Sequence, residues 1–399
     1  MAPKIAYVMS RFPHLPETFI LREMDELEQQ GWEVALYPLI MQQQALIHPE
    51  AQPWIGRARA VSWLNLRTWS ENGRAWREDP QRYVSLWGKV LAENVSDLNL
   101  LARAMALFPK AVRMAQMMKR EGVVHIHAHY ATHPALVAWL ISRLSGIPYS
   151  FTVHAHDIFV RTAMLKTKLQ DAVFVVAISE YNRQHLAQLV GPWVKEKIHI
   201  VHCGIRPDLY RPIGMRSNGR LEIMNIGSLQ PYKGQKYLIL ACAELRRRQI
   251  PFRCRIIGGG EEHSRLDHLV KELSLDSHVE LMGPRTQQEV AQLLPTAHCY
   301  VQPSVVTSSG KMEGIPVALM EAMACAIPCV ASRLSGIPEL VIEGETGWLV
   351  PAGDVSALAE RLAAIYADPC GVARVAQAGR QRVIEQFDLT ANVRLLAGL

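Results

Sequence analysis

The sequence predicts an α/β protein made of two doubly wound parallel sheets, and three observations lead to that fold class. Short apolar runs alternate with helical patterns, as expected for parallel strands joined by crossover helices. The alternation stops at a polar stretch, Pro212–Gly219, and then begins again. The 399 residues exceed what one hydrophobic core usually serves. We therefore predict two Rossmann-like domains, residues 1–212 and 213–379, facing each other across a cleft.

Six strands are expected in each domain. The first set comprises Lys4–Met9, Val34–Leu39, Val123–Ala128, Ser150–Val153, Val173–Ile178 and Ile198–His202. The second set comprises Leu221–Ile226, Arg253–Ile257, Val279–Met282, Cys299–Pro303, Cys329–Ala331 and Gly347–Leu349. Ligands of such sheets bind beyond the carboxyl ends of the strands, so functional residues are expected in the turns that follow them.

A helical insertion at about residues 50–120 breaks the alternation, because no strand pattern is evident there. Its tryptophans are interleaved with arginines, and Leu98–Arg120 is an amphipathic pattern with five basic and no acidic residues, interrupted by Pro109. A basic amphipathic segment with indoles suits a lipid–water interface. The alternative is an insertion packed on the first domain, with arginine stems lying along apolar surface. A C-terminal helix, residues 380–399, is expected to pack back across both halves.

The composition excludes several classes of protein. With 49% hydrophobic and 20% charged residues, the chain is globular rather than disordered. The formal net charge of +6 does not indicate nucleic-acid binding, but it fits anionic ligands or an anionic membrane surface. Seven cysteines without a CxxC pair indicate a reducing compartment without disulfides or structural zinc. Neither a membrane span nor a secretory signal is evident, which predicts a cytoplasmic protein, with contact to the inner face of the membrane as a further expectation.

The strongest chemical signal is the segment EGIPVALMEAMA, which begins at Glu313. Glu313 lies in a loop, and Glu321 follows eight positions later on the next helix. Carboxylates accept hydrogen bonds from the paired hydroxyls of a sugar ring or a ribose. Gly314, Ile315 and Pro316 stand where the helix begins, and free amides there can meet hydroxyls or phosphate oxygens. The segment predicts a sugar-nucleotide site, whereas the spacing alone would also fit two unrelated glutamates.

A second signal is the turn GSLQPYKG, which runs from Gly227 to Gly234 directly after a strand. Gly227, Ser228 and Lys233 are expected in this turn at the start of a helix, where backbone amides and a positive charge face a diphosphate. The order of residues in a Walker A loop is absent. A solvated lysine is the alternative interpretation.

The turn IIGGGEE follows another strand of the second domain. Gly258 in this turn allows the backbone to pass close to a base or a phosphate. Arg285 follows the next strand and is expected at the same sheet edge, where it would contact the donor. An exposed turn arginine is the alternative.

Histidines cluster at two strand ends of the first domain, in HIHAHY and TVHAHD. They are His125, His127, His129, His154 and His156. A metal site needs at least three converging ligands with supporting carboxylates, and only Asp157 is near in sequence. We therefore expect no metal, and polar groups that line the mouth of the cleft, with His154 closest to the donor sugar and His129 on the acceptor or diphosphate side.

The segment SRFPHLPETF follows the first strand. Pro16, Glu17 and Thr18 open the first helix and are expected to face the acceptor or the diphosphate.

In these motifs the chain resembles the GT4 family of glycosyltransferases, especially bacterial members that build exopolysaccharide or colanic-acid-like repeat units. The resemblance runs from SRFPHLPETFILREMDEL through SFTVHAHDIF, NIGSLQPYKG and PSVVTSSGKMEGIPVALMEAMA to GIPELVIEGETGWLVPAGD. It implies a GT-B fold, metal-independent catalysis and retention at the anomeric carbon.

By position, the resemblance implies roles for single residues. Glu313 would contact hydroxyls of the donor sugar, and Glu321 would hold the ribose. Lys233 would neutralise the diphosphate as charge builds on the departing oxygen. The backbone of residues 314–316 would grip sugar and phosphate, and His154 matches a family histidine near the reacting sugar. His154, Lys233 and Glu313 are thus the expected catalytic residues.

Two departures from the family pattern concern the diphosphate. Ser228 stands where many relatives have arginine, so leaving-group stabilisation rests more on Lys233 and helix-end amides. The sequence PHLPET replaces a glycine pair that often follows the first strand.

The expected reaction moves a hexosyl group from a nucleotide diphosphate sugar, with UDP as the expected nucleotide, to a lipid-linked or polysaccharide acceptor. No cofactor is expected. Two other functions fit parts of the sequence: a non-catalytic nucleotide-sugar-binding module, and a metal hydrolase that uses the histidine-rich strand ends.

Overall fold

The computed structural model describes residues 2–14, 17–43, 47–213 and 219–399, with the side chain of His156 left aside. By its internal contacts the chain forms two compact units. The first comprises the residues up to Val201 together with Val393–Leu399, and the second comprises His202–Asn392. The strand pattern places the boundary later, at residue 212. Most of the polar stretch that suggests this boundary lies outside the described residues.

The first unit contains a parallel sheet of six strands in the order β2-β1-β3-β4-β5-β6. The strands are β1 Lys4–Phe12, β2 Glu33–Met41, β3 Val123–His129, β4 Tyr149–Val153, β5 Val175–Ala177 and β6 Ile198–Ile200. Each strand that the sequence predicts is present. The strand order reverses between β1 and β3, and ligands of such sheets bind beyond the carboxyl ends of the strands at this switch point.

The helices of the first unit cover the sheet. They are α1 Thr18–Gln29, α2 Gln52–Ile55, α3 Leu66–Glu78, α4 Pro80–Asn94, α5 Leu98–Arg120, α6 His133–Ser145, α7 His156–Phe159, α8 Leu165–Asp171 and α9 Glu180–Val190. Nearly all of α6 is buried, including Trp139. The helix is apolar on every face, as expected for a helix that packs against neighbours on several sides.

The predicted insertion is helical, and its tryptophans form two groups. Trp54 is buried, and its Nε1 donates to Asp25 at 2.8 Å. Trp87 stacks on Phe108 with 4.0 Å between ring centroids. The other three stay exposed: Trp63, Trp69 and Trp76. The insertion therefore packs on the first domain and also leaves indoles at the surface.

Helix α5 continues through Pro109. A proline inside a helix lacks one backbone donor and displaces the preceding turn. Asn72 Nδ2 donates to the carbonyl oxygen of Pro109 at 3.0 Å. This contact from α3 ties the irregular turn to its neighbour.

The second unit contains a parallel sheet of six strands in the order β12-β11-β10-β7-β8-β9. The strands are β7 Leu221–Ile226, β8 Phe252–Ile257, β9 Val279–Gly283, β10 Cys299–Gln302, β11 Cys329–Ser332 and β12 Trp348–Val350. All six agree with the predicted set, and the doubly wound α/β fold is confirmed in both units. The switch point here lies between β7 and β10.

The helices of the second half of the chain are α10 Gln235–Arg247, α11 His263–Glu272, α12 Gln287–Leu293, α13 Val317–Ala324, α14 Ile337–Leu340, α15 Val355–Ala367, α16 Pro369–Gln386 and α17 Leu389–Ala397. The C-terminal segment 380–399 is therefore not one helix. The carbonyl of Phe387 accepts from the amide of Ile205 at 2.9 Å, and the Ile205 carbonyl accepts from Leu389 N at 2.8 Å. This exchange of backbone bonds separates α16 from α17.

None of the described helices has the length and apolar character needed to cross a membrane.

Candidate functional site

Two loops meet at the switch point of the second sheet. The loop after β7 carries Lys233, and the loop after β10 carries Glu313. Lys233 Nζ lies 2.5 Å from Glu313 Oε2, and the two side chains are only 14% and 13% exposed. Residues predicted from two separate motifs thus form one ion pair at the sheet edge where ligands of this fold bind.

The surroundings of Lys233 determine its charge. Burial by itself lowers the pKa of Lys233, but the negative charge of Glu313 and the hydrogen bond to it outweigh burial and raise that pKa. Burial, followed by the charge of Glu313, raises the pKa of the neighbouring Tyr232 phenol. The site therefore keeps a protonated amine next to a neutral phenol.

A glycine holds the lysine turn in place. Gly234 has φ +70°, and a Cβ there would lie 1.9 Å from the carbonyl oxygen of Pro303. The amide of Val305 donates to the carbonyl of Tyr232 at 2.8 Å. Backbone contacts between the loops after β7 and β10 thus position Lys233, and only glycine fits at the closest approach.

Gly258 packs against backbone. It has φ +148°, and a Cβ there would lie 1.9 Å from the carbonyl oxygen of Gly227. Its amide donates to the carbonyl of Gly283 at 3.0 Å. A glycine is therefore needed at this position for the turns after β7 and β8 to meet, whether or not a ligand binds.

The segment after Glu313 leads into α13. Pro316 is the N-cap residue, and no side chain caps this end of the helix. Gly314 and Ile315 precede it and are buried. The first amides of α13 therefore lie on the chain between the two glutamates that the sequence predicts.

Glu321 on α13 is buried and belongs to a hydrogen-bonded group. Its Oε1 accepts from the Tyr210 hydroxyl at 2.6 Å, and Gln287 Nε2 donates to that hydroxyl at 2.9 Å. Sequence reasoning missed Tyr210 and Gln287, because neither lies in a recognisable motif. The only signal is indirect: a buried carboxylate needs donors.

Three other polar residues of this region have local partners. Arg285 donates to the Pro284 carbonyl at 3.2 Å and lies 4.0 Å from Glu289. Lys311 donates to Gln230 Oε1 at 2.7 Å. Ser228 is next to the Tyr232 phenol and acts to lower the pKa of that phenol. In the described part of the chain, the ion-pair partner of Glu313 is thus Lys233 and not Lys311 or Arg285.

A second polar cluster follows the switch point of the first sheet. Glu23 Oε1 accepts from the Tyr7 hydroxyl at 2.6 Å and lies 3.0 Å from His129 Nε2. His129 Nδ1 lies 3.1 Å from His154 Nε2. The two predicted histidines are therefore linked directly, and Glu23 is the carboxylate that supports them. Sequence reasoning missed Glu23, which stands on α1 one helical turn after Phe19.

Glu23, His127 and His129 could offer ligand atoms to a metal, since these atoms lie within 4.8 Å of one another. The ring nitrogens of His127, however, lie 2.8 Å from Ser150 Oγ and 2.9 Å from Thr152 Oγ1. Burial, aided by the neighbouring histidines, lowers the pKa of His127. His127 is therefore a neutral ring whose two nitrogens are both held by hydroxyl groups.

Asp157, the carboxylate near these histidines in sequence, bonds to backbone amides. It accepts from the backbone amides of Ala131 at 2.8 Å and Ala155 at 2.8 Å. It thus shapes the loops that carry the histidines instead of contacting their rings.

Glu17 is the N-cap residue of α1, which begins at Thr18, and Pro16 lies outside the described residues. Glu17 Oε1 lies 3.4 Å from His14 Nδ1. Its Oε2 is buried without a hydrogen-bond partner among the described residues. A hydroxyl-bearing ligand would supply such a partner.

Two family models match successive parts of the chain. The model of Glycosyltransferase Family 4 matches residues 16–209, and that of Glycosyl transferases group 1 matches residues 209–382. A putative colanic acid biosynthesis glycosyltransferase, WcaL of Escherichia coli, is 40% identical over 207 residues, which are 51% of each chain. The amylovoran biosynthesis glycosyltransferase AmsK of Erwinia amylovora is 36% identical over 204 residues, 51% of this chain and 50% of that protein. The chain thus matches about half the length of these relatives.

Solved structures share the whole fold. A glycosyltransferase from Rickettsia africae superposes with a TM-score of 0.73 at 16% identity, covering 100% of this chain and 97% of its own. The Anabaena protein Alr3699/HepE, solved in complex with UDP, gives a TM-score of 0.73 at 17% identity over 99% of this chain and 98% of its own. At these identities the likeness shows the architecture.

Proposed function

Because the chain belongs to the GT4 family of glycosyltransferases with the GT-B fold, we propose that it transfers a hexosyl group from a nucleotide diphosphate sugar to a lipid-linked or polysaccharide acceptor in exopolysaccharide synthesis. The observation that carries the proposal is the 2.5 Å ion pair of Lys233 and Glu313 at the switch point of the second sheet. The names of WcaL and AmsK support the exopolysaccharide assignment. The UDP complex of HepE supports a UDP-sugar as donor.

The donor is held by charges and amides of the second unit. Lys233 turns from Glu313 to the diphosphate, and Glu313 then accepts from hydroxyls of the sugar. Glu321, fixed by Tyr210, accepts from the ribose. The amides of residues 314–316 contact the sugar and phosphate oxygens, since the start of α13 has no side-chain cap.

The backbone amide of Ser228 completes the proposed diphosphate cradle. Gly227 and Gly258 border the diphosphate and shape the turns after β7 and β8, since their own amides already donate to backbone carbonyls. Arg285 belongs to the outer part of the donor site. Lys233 supplies positive charge where other transferases use a divalent cation, so no metal and no cofactor are required.

The transfer proceeds with retention by departure and attack on one face of the sugar. The bond between the anomeric carbon and the diphosphate oxygen breaks, and its electron pair stays on that oxygen, where Lys233 stabilises it. The acceptor hydroxyl passes its proton to the same oxygen as its own oxygen bonds to the anomeric carbon. His154 contacts the reacting sugar, while Glu17, Thr18 and His129 belong to the acceptor or diphosphate side.

Slow hydrolysis of a nucleotide sugar tests the proposal without knowledge of the acceptor. With excess EDTA present, we expect the protein to release nucleoside diphosphate from one member of a panel of UDP- and GDP-sugars. Proton NMR should show that the sugar is first freed with the anomeric configuration of the donor. Binding without turnover of any donor would favour a non-catalytic module. Activity lost in EDTA and restored by a divalent cation would contradict metal independence, and the opposite anomer would contradict retention.

The proposed membrane contact is made by the helical insertion of the first unit. Leu64 and Leu66 are 93% and 84% exposed, and three tryptophans beside them in sequence are also exposed. Trp69 Nε1 donates to the Trp63 carbonyl at 3.0 Å, so the indoles are anchored and still present apolar surface. Exposed indoles and leucines near arginines suit the boundary of an anionic bilayer. This surface docks the protein on the inner face of the cytoplasmic membrane.

Cosedimentation with phosphatidylglycerol-containing vesicles at low salt tests this docking. The Leu64→Ser/Leu66→Ser variant should bind at least about tenfold more weakly, because burying each leucine contributes about 1.5–3 kcal/mol. The matched control is Leu209→Ser, an exposed leucine of the second unit. Equal vesicle binding by both variants would refute the assignment of this surface.

A further inference from the structure

One carboxylate oxygen organises the polar cluster of the first unit. Glu23 Oε1 is 2.6 Å from the Tyr7 hydroxyl and 3.0 Å from His129 Nε2. The His129 side chain is 1% exposed and that of Glu23 is 17% exposed. Burial, and next the charge of Glu23, raise the pKa of Tyr7, so its hydroxyl stays a donor. An ionised carboxylate only accepts hydrogen bonds, which requires a proton on His129 Nε2.

The proton on His129 Nε2 determines what the next ring does. A neutral imidazole protonated at Nε2 has a lone pair at Nδ1. His129 Nδ1 lies 3.1 Å from His154 Nε2, so His154 must donate from Nε2. In neutral His154 the lone pair then lies on Nδ1, the nitrogen at the other side of the ring.

The ring of His154 is also held in place by its neighbours. Its centroid lies 5.0 Å from that of Phe19 and 4.6 Å from that of Tyr130. Its carbonyl accepts from Asn182 Nδ2 at 2.5 Å. The ring is therefore buried with a restricted orientation.

We infer that Glu23 is a positioning residue that acts through His129 to hold His154 in the tautomer with its lone pair on Nδ1. This inference rests on the proposed function for the role of His154 at the reacting sugar. In that role, Nδ1 is the atom that accepts a hydrogen bond from a hydroxyl of the sugar or acceptor. Phe19 and Glu23 lie one turn apart on α1, so a single helix face controls both the orientation and the tautomer of His154.

Glu23→Met tests the inference because it keeps the length of the side chain and removes the acceptor. Long-range proton–nitrogen spectra of histidine-labelled protein should show an unprotonated Nδ1 on His154 in the wild type and a mixture of tautomers in the variant. We expect kcat to fall about ten- to a hundredfold, the size of effect seen for residues that orient metal-bound histidines in other enzymes. The KM for the donor should stay within about twofold. Losing an interaction that is made only in the transition state lowers kcat and leaves KM unchanged.

Two further variants separate positioning from stability. Glu23→Gln retains an oxygen acceptor for His129 and should restore most of kcat and the wild-type tautomer. Glu26→Gln changes another buried carboxylate of α1, whose oxygen bonds Gln30, and should leave kcat and both rings unchanged. Circular dichroism and melting temperature report whether each variant folds.

The outcomes for the inference and for the proposed function are distinct. A wild-type protein with no turnover of any donor removes the proposed function, while the spectra still report the tautomer. A protonated Nδ1 on wild-type His154 overturns the inference even if Glu23→Met does not fold. Unchanged kcat and unchanged rings in folded Glu23→Met would also overturn it.

Discussion

Lys233→Met should lower kcat for donor hydrolysis by about a hundred- to a thousandfold, the usual effect of removing one group that stabilises the developing negative charge. The lysine is the proposed source of positive charge at the departing diphosphate, and its ion pair with Glu313 keeps it protonated and in place. Methionine has a similar length without the charge. The loss should appear mainly in kcat, because the diphosphate gains charge as the bond to the sugar breaks.

The matched control for this variant is Lys236→Met, an exposed lysine three residues later in the first turn of α10. It shares the chain region and the net charge change but not the ion pair, so its kcat should equal that of the wild type. Circular dichroism checks that both variants fold, since Lys233→Met leaves the largely buried Glu313 without its partner. A folded Lys233→Met protein with kcat within about threefold of the wild type would contradict the proposed role.

Gly258→Ala should destabilise the second unit by about 3 kcal/mol, through steric overlap and backbone strain. A Cβ at this residue would lie 1.9 Å from the Gly227 carbonyl oxygen, and φ is +148°. For a unit of this size we expect the melting transition to fall by about 6–12 °C in calorimetry.

The neighbouring glycine provides the control for the stability prediction. At Gly259 a Cβ would meet its nearest atom, in Pro284, at 3.6 Å, which is ordinary van der Waals contact. Gly259→Ala should therefore shift the melting transition by no more than about 2–4 °C. Equal shifts for the two variants would show that the close approach of the turns after β7 and β8 does not control stability.

The sheets were predictable because buried parallel strands appear in the sequence as short continuous apolar runs. Strand ends were less certain. The run Val173–Ile178 yields only Val175–Ala177 as strand β5, and Val173 is 57% exposed. The C-terminal break was not predictable, because the backbone of Phe387 and Leu389 bonds a residue far away in sequence, Ile205. The helix propensity of neighbouring residues cannot indicate a partner so distant in sequence.

The candidate site was predictable where it follows strands and not where it depends on tertiary contacts. Lys233 and Glu313 each stand in a turn with a recognisable motif, and the sheet order brings the two turns together. Glu23 and Tyr210 lie 106 and 111 positions from the residues they support. A pattern confined to neighbouring residues cannot indicate that such groups will meet.

The ion pair of Lys233 and Glu313 also bears on product inhibition. Under the proposed function, a bound donor would draw the lysine to its diphosphate and offer sugar hydroxyls to the carboxylate that has lost its partner. The nucleoside diphosphate left after transfer would still contact Lys233 but would bring no sugar, so Glu313 would compete for Lys233 again. We therefore expect the enzyme to retain the nucleoside diphosphate less tightly than the donor. The same two side chains that capture the substrate would then promote release of the product.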